Sequence, residues 1–237
     1  MAEYQFVPDK DPYASMNLQG FATNTSIVLV LSMVYLKPEE SPAALSSFSK
    51  LTPVLDTAQI QTLTEYMGGH PVPELKRVDW FVTGFKVDRA LYATVAEIMR
   101  DSQALERLQL LTAGSAAFGL QVVSSSTVEA GRLRGGNALG LDPVSQTWLH
   151  MDVGWWWPGD DEKALDAARF VVGEVEDAAK ATGNYLPCLF MNDANIQQDV
   201  IGSYGDANVK RLKEVQDRYD PDRVLQKLVP GGFKLGI

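Results

Sequence analysis

Two residues with acid–base chemistry, His150 and Asp152, stand two positions apart in the run Thr147 to Trp156, where apolar and polar side chains alternate. Such a run reads as a β-strand. Period two then puts Trp148, His150, Asp152, Gly154 and Trp156 on one face. Leu149, Met151, Val153 and Trp155 fall on the other, which reads as core. An imidazole, a carboxylate and two indoles are costly to bury together without partners. They suit a surface that meets a ligand: aromatic walls for a planar apolar substrate and a His/Asp pair to move a proton. Histidine is the side chain whose ordinary titration lies near neutral pH, so it can both take and give. This reading makes His150 the proton-transfer group, Asp152 its orienting partner, and Trp148 and Trp156 the apolar wall. The same pattern is also what a subunit interface or a solvated sheet face would show.

Further candidates are more scattered. Gln121 and Asn137 project toward the same face if both lie on neighbouring strands. Arg134, with Arg132, would hold a carboxylate or enolate if that stretch is extended, or else is surface charge. Trp80 flanks a strand, as wall or as core. Glu65 and Tyr66 sit near a loop with nothing to select them. His70 is the second of the two histidines, and no metal-ligand spacing surrounds either, so no metal is expected. Gly135-Gly136 leads into a strand-like run and not a helix, which argues against a phosphate-binding loop. Cys188 is the one cysteine, so no internal disulfide can form. Its apolar neighbours read as those of a buried, inert thiol in a reducing compartment.

These residues need a scaffold. The chain has 237 residues, enough to bury a sizeable core. Its net charge of −9 argues against nucleic acid, which requires clustered Lys and Arg. The N-terminus lacks the basic and apolar regions of a signal peptide, and Ile27 to Leu31 is too short to span a bilayer, so a cytoplasmic protein away from membranes is expected. Asn24-Thr25-Ser26 is a formal glycosylation sequon with no secretory context.

Strands are expected over Ser26 to Leu36, Val78 to Val87, Phe118 to Ser124 and Thr147 to Trp156, with a further one over Gly135 to Leu141. A short helix starts at Ser41-Pro42 and runs through Leu51. Asp88 caps a helix with Leu91, Val95 and Ile98 inward. A long helix follows Asp160-Asp161, with Leu165, Ala168, Val172, Val175 and Ala179 in its stripe and Gly183 as its stop. A last helix runs from Asp206 to about Tyr219, with Val209, Leu212 and Val215 inward. The mixture predicts an α+β fold, an antiparallel sheet backed by helices.

Several motifs carry a resemblance. Gly135-Gly136-Asn137-Ala138-Leu139-Gly140-Leu141, Trp157-Pro158-Gly159-Asp160-Asp161, Gln198 to Gly205, Tyr219-Asp220-Pro221-Asp222 and Pro230-Gly231-Gly232-Phe233-Lys234-Leu235 follow one another in family order. Together they resemble the berberine-bridge-enzyme-like flavin oxidoreductases of the vanillyl-alcohol-oxidase superfamily, the fungal ones above all. The resemblance implies the substrate domain of that superfamily: a large antiparallel sheet with helices on one face and an open face that lies against the flavin ring. Residues 1–186 would form this domain. Residues 187–237 would form a helical strap like the segment that packs on the FAD domain.

Departures from the family are chemical. The resemblance places the family's FAD-binding domain before this region, and the expectation is that these 237 residues lack it. Gly68-Gly69-His70 echoes the family's flavin-tethering Arg-x-x-Ser-Gly-Gly-His in a different region, as a coincidental turn. Cys188 does not match the second tether. The family's Tyr-x-Asn-Tyr stands here as Phe190-Met191-Asn192-Asp193, which removes both phenols. The expectation is an enzyme with no cofactor, catalysing a redox-neutral step of natural-product biosynthesis on a small hydrophobic substrate: cyclisation, isomerisation, dehydration or pericyclic closure. The alternative is a pseudoenzyme or the complementing half of a split oxidase. A homodimer through the open face or the strap would cover apolar surface.

Overall fold

The computed structural model describes residues 1–22, 27–69, 75–100, 102–111 and 114–236. The sequon and the Gly-Gly-His echo at His70 fall outside them. Six strands form one antiparallel sheet: β1 (Ala14–Ala22), β2 (Ile27–Tyr35), β3 (Arg77–Lys86), β4 (Ser115–Val123), β5 (Gln146–Trp155) and β6 (Tyr185–Leu186). Their order across the sheet is β2-β1-β4-β5-β3-β6. This is the expected α+β architecture.

One face is apolar and covered by helices. α6 (Asp161–Ala181) lays Ala164, Ala168, Val171, Val172, Val175 and Ala179 against Leu149, Met151, Val153 and Trp155 of β5. The alanines let the helix approach closely, and each strand residue sheds water at about 25 cal/mol per Å². α6 is pinned at its start. Arg77 grips Asp161 with two hydrogen bonds, Nε to Oδ1 at 2.7 Å and Nη2 to Oδ2 at 3.0 Å, and Trp155 Nε1 donates to Oδ1 at 2.7 Å. Gly183, at φ +69°, ends it in the left-handed conformation that glycine takes without strain. α3 (Arg89–Ile98) is capped by Asp88, whose Oδ1 accepts from Leu91 N at 2.7 Å. α3 and α4 (Ser102–Gln109) pack beside α6. The N-terminal α1 (Ala2–Gln5) and a 3-10 helix (Ala43–Phe48) cover the β1 end, joining Tyr4, Met16 and Phe48.

Registers fix the opposite, front face. Gln19, Gly119, His150 and Val82 stand in one row across β1, β4, β5 and β3. Asn17, Gln121, Trp148 and Gly84 form the next row. Residues 187–205 run along the β3 edge and over half of this face, joining Cys188, Leu189, Val200 and Tyr204 to Val82. The other half, around Phe21, Val28 and Val30, is exposed.

The structure differs from the sequence reading in several places: β1 is a strand where none is expected, and β4 begins at Ser115, ahead of the expected Phe118. Gly135 to Leu141 is not a strand: α5 (Ser125–Leu133) precedes it, and Gly135, Gly136 and Gly140 all have positive φ, which makes it a turn region. Pro42 caps the 3-10 helix from outside and does not sit in its first turn. In α7 (Asp206–Tyr219) Val209 and Leu212 are half-buried, but Val215 is 47% exposed and Gln216 takes the buried position. β5 ends at Trp155, one residue earlier than read. Two short helices, α2 (Leu63–Gly68) and α8 (Val224–Lys227), complete the elements used below.

Candidate functional site

The front face of β5 carries the polar cluster. His150 Nδ1 and Asp152 Oδ1 are 2.7 Å apart, with side chains 8% and 19% exposed. The imidazole lies across Gly119 on β4: a Cβ built there would stand 2.0 Å from His150 Nε2. Gly119 is therefore a steric requirement of the ring's position. Trp80, paired with Asp152 across β3 and β5, covers the ring at 5.2 Å between centroids with a 32° tilt. Trp148 stacks on Phe190 at 4.7 Å and donates Nε1 to Gln146 Oε1 at 3.0 Å. This pair is an aromatic wall beside the imidazole.

A second carboxyl joins from the covering segment. Asp193 Oδ2 accepts from Gln121 Nε2 at 2.8 Å. Burial pushes the Asp193 carboxyl above the usual carboxylate range and the negative charge of Asp152 adds to the shift, while His150 and the Gln121 hydrogen bond oppose it. Asp193 thus holds its proton more firmly than a solvated carboxyl does, and it sits near the His150–Asp152 pair. No periodicity could have pointed to it, because it sits in a 3-10 turn (Met191–Asp193) and its partner is 72 residues away. The available signal was a carboxylate standing where the family motif has a phenol.

Hydrogen bonds hold the covering segment in place. β6 has two residues, so it leaves most of the β3 edge without a strand partner. The Gln198 amide fills part of that gap, donating Nε2 to Val82 O at 2.7 Å and accepting from Val82 N at 3.1 Å. Asn195 Nδ2 donates to Asp79, and Asn195 N donates to Gln198 Oε1 at 3.1 Å.

The predicted site residues divide. His150, Asp152, Trp148, Trp80 and Gln121 come together on the front face. Trp156 does not. It lies past the strand end, 38% exposed, with Lys76 over its ring at 5.4 Å, and eight residues from Trp148 is about 26 Å of strand. Arg134 caps the end of α5 and is exposed, and Arg132 donates to Leu141 O at 2.9 Å. Asn137 is exposed and its Oδ1 accepts from Leu139 N at 2.9 Å, ordering the turn. Arg132 and Arg134 leave the face because they end a helix and not a strand, and Asn137 leaves it because Gly135 to Leu141 turns. Glu65 is occupied in the capping box of α2 with Thr62. Cys188 is buried, its thiol pushed up to about 11. Among the described residues no three His, Cys, Asp or Glu side chains group as a metal cluster, and no helix is long and apolar enough to cross a membrane.

No family model matches the chain. A bifunctional solanapyrone synthase of Alternaria solani is 31% identical over 208 residues, 87% of this chain and 40% of its own length. An FAD-dependent monooxygenase of Arthrobotrys oligospora is 30% identical over 241 residues, 98% of this chain and 45% of its own. The chain thus spans less than half the length of these curated relatives. Among solved structures, aclacinomycin oxidoreductase superposes with a TM-score of 0.61 at 17% identity, over 94% of this chain and 48% of that one. A variant of berberine bridge enzyme gives 0.54 at 12%, over 94% and 49%. The chain therefore has the fold of one half of the berberine-bridge-like flavoenzymes, and its sequence relatives include fungal FAD-dependent monooxygenases.

Proposed function

We propose that this chain provides the proton-transfer wall of an enzyme of fungal-type natural-product biosynthesis, acting on a hydrophobic, partly planar substrate. The observation that carries the reading is the His150–Asp152 pair at 2.7 Å on the front face, beside the buried Asp193 carboxyl and the Trp148–Phe190 stack. His150 removes a proton from carbon or oxygen of the substrate, and Asp152 balances the imidazolium that forms. Asp193, when it carries its proton, donates to the atom where negative charge collects. Return of the His150 proton at a new position, with the proton lent by Asp193 passing back to it, completes an isomerisation. Departure as water of a hydroxyl that Asp193 has protonated completes a dehydration, and the proton on His150 then restores Asp193. Neither outcome changes the oxidation state, so the step is redox-neutral and needs no cofactor.

The relatives named for FAD favour a second reading, in which the same wall serves a flavin oxidation. Aromatic and amide side chains on the front face fit a flat ring. Its diphosphate finds no such fit: among the described residues of that face Lys86 is the one cation, and its Nζ donates to Gly183 O at 3.3 Å. A flavin, when bound, supplies a hydride acceptor. This chain's residues would then position the substrate and take its proton. The exposed strip of Phe21, Val28 and Val30 is where a second copy, or a flavin-bearing partner, would dock.

Gene deletion in the host, with metabolite profiling and complementation, tests both. The wild-type gene should restore a product that the deletion strain lacks. His150→Ala should lower its formation by about 10²- to 10⁴-fold, while Lys86→Ala restores it. Product and accumulated precursor of equal mass, or differing by water, support the redox-neutral step. Loss of two hydrogens supports the flavin reading. Full complementation by His150→Ala sinks the proton-transfer wall.

A further inference from the structure

A groove lies on the part of the front face that residues 187–205 leave uncovered. We propose that it binds the neutral, hydrogen-bond-donating ring of an amphiphilic substrate, with Asn17 as the acceptor. Ser15, Met16, Asn17 and Gln19 of β1, Ser32 and Val34 of β2 and Tyr66 of α2 line this open groove, whose volume is about 160 Å³. No charged side chain takes part, which disfavours an ionised ligand. A cavity of roughly 150 Å³ holds one six-membered ring.

The second observation is an unused acceptor. Asn17 Oδ1 is buried and has no hydrogen-bond partner among the described residues. Leaving such an atom unsatisfied costs about 1–3 kcal/mol. A ligand N–H or O–H placed there removes that cost, and the hydroxyls of Ser15 and Ser32 beside it can meet a carbonyl. A lactam or a hydroxylated ring offers both donor and acceptor.

Registers tie the groove to the chemistry. Asn17 stands directly across from Gln121, and Gln121 directly across from Trp148. Two strand spacings, about 10 Å, separate β1 from β5. A substrate with its polar ring in the groove therefore points its hydrophobic body toward the edge of the cover, where Asp193 bonds Gln121 and Phe190 stacks on Trp148 beside His150. The substrate class is an elongated molecule with a neutral lactam or hydroxy-ring head and an apolar, proton-bearing tail. This rests on the proton-transfer reading above, but its test does not depend on turnover.

The probe is 2-pyridone, a neutral ring lactam, with N-methyl-2-pyridone as the analogue lacking the donor. Binding is followed by amide NMR shifts of the purified chain. The expected result is shifts on β1 and β2, with 2-pyridone binding roughly tenfold tighter than the N-methyl analogue. Asn17→Leu should abolish that preference. Ser32→Leu, which fills the groove, should abolish binding, with shifts elsewhere in the sheet unchanged as evidence of folding. His150→Ala should bind the probe like the wild type. Equal binding of the two pyridones, or shifts centred on Trp148 and not on β1 and β2, overturns the proposal. So does unchanged binding in Ser32→Leu. An inactive His150→Ala that still binds 2-pyridone supports both readings, whereas an active one that binds it overturns only the catalytic assignment.

Discussion

β5 is buried on both faces, but by different means. On the back, Leu149, Met151, Val153 and Trp155 meet the alanines and valines of α6. On the front, Trp148, His150 and Asp152 meet an irregular segment that attaches through Gln198, Asn195 and Asp193. A helix satisfies its own backbone and so offers only side-chain packing, which rewards apolar contact. A segment without regular structure must find partners for its peptide groups, and each partner is a polar side chain fixed in place. The helical face therefore supplies stability, and the irregular cover supplies oriented acids and amides.

That contrast can be broken at its strongest point first. Leu149 is fully buried under α6. Leu149→Ala should lower unfolding free energy by about 2–5 kcal/mol, measured from the urea midpoint, with probe binding at the groove retained. A smaller loss accompanied by a loss of binding would mean the two faces are not separable. Gln198→Ala should have a more local effect. It leaves Val82 N–H and C=O without their side-chain partners, at a cost of about 1–3 kcal/mol. Amide exchange should quicken in residues 187–205 and stay unchanged in α6. Uniform acceleration across the chain would show one cooperative unit instead.

Asp193 sharpens the comparison through pH. Its folded carboxyl keeps its proton to higher pH than the unfolded one. Above the ordinary carboxylate value, about 4, the folded state binds the extra proton, so this residue's contribution to stability falls as pH rises through the folded pKa. Asp193→Asn removes that decline, and chemical denaturation of the variant should show a flatter stability–pH curve above about pH 4. An unchanged slope would place the carboxyl in water. The smallest effect concerns Cys188. With its thiol held at about 11, about one molecule in a thousand carries the thiolate at pH 8. A maleimide should label the native chain far more slowly than the urea-unfolded chain, and equal rates would mean that the front cover opens freely.

The regular half of this architecture was legible in the sequence. Alternation marked β5, and steps of three and four marked α6, because each buries one continuous apolar side. β1 carries the same signal, with Met16, Leu18 and Ala22 on one side and Asn17, Gln19 and Phe21 on the other, yet Gly20 and the mixed polarity of its front residues mask it. Gly135 to Leu141 misled by hydrophobicity. Its glycines take positive φ, which their place in the sequence alone does not reveal. His150, Asp152, Trp148, Gln121 and Trp80 could be assembled because sheet registers bring them together. Asp193 and the Asn17 groove depend on contacts between segments distant in sequence, which no local pattern encodes.

Gly119 has one more consequence. Because the imidazole occupies the volume that any side chain at 119 would fill, positions 119 and 150 cannot vary independently. Across an alignment they should covary: where a relative carries alanine or larger at the aligned position, its histidine should be absent or turned out of the row. A glycine would then serve as a marker, readable from sequence alone, of which relatives retain this packing of an imidazole against the neighbouring strand.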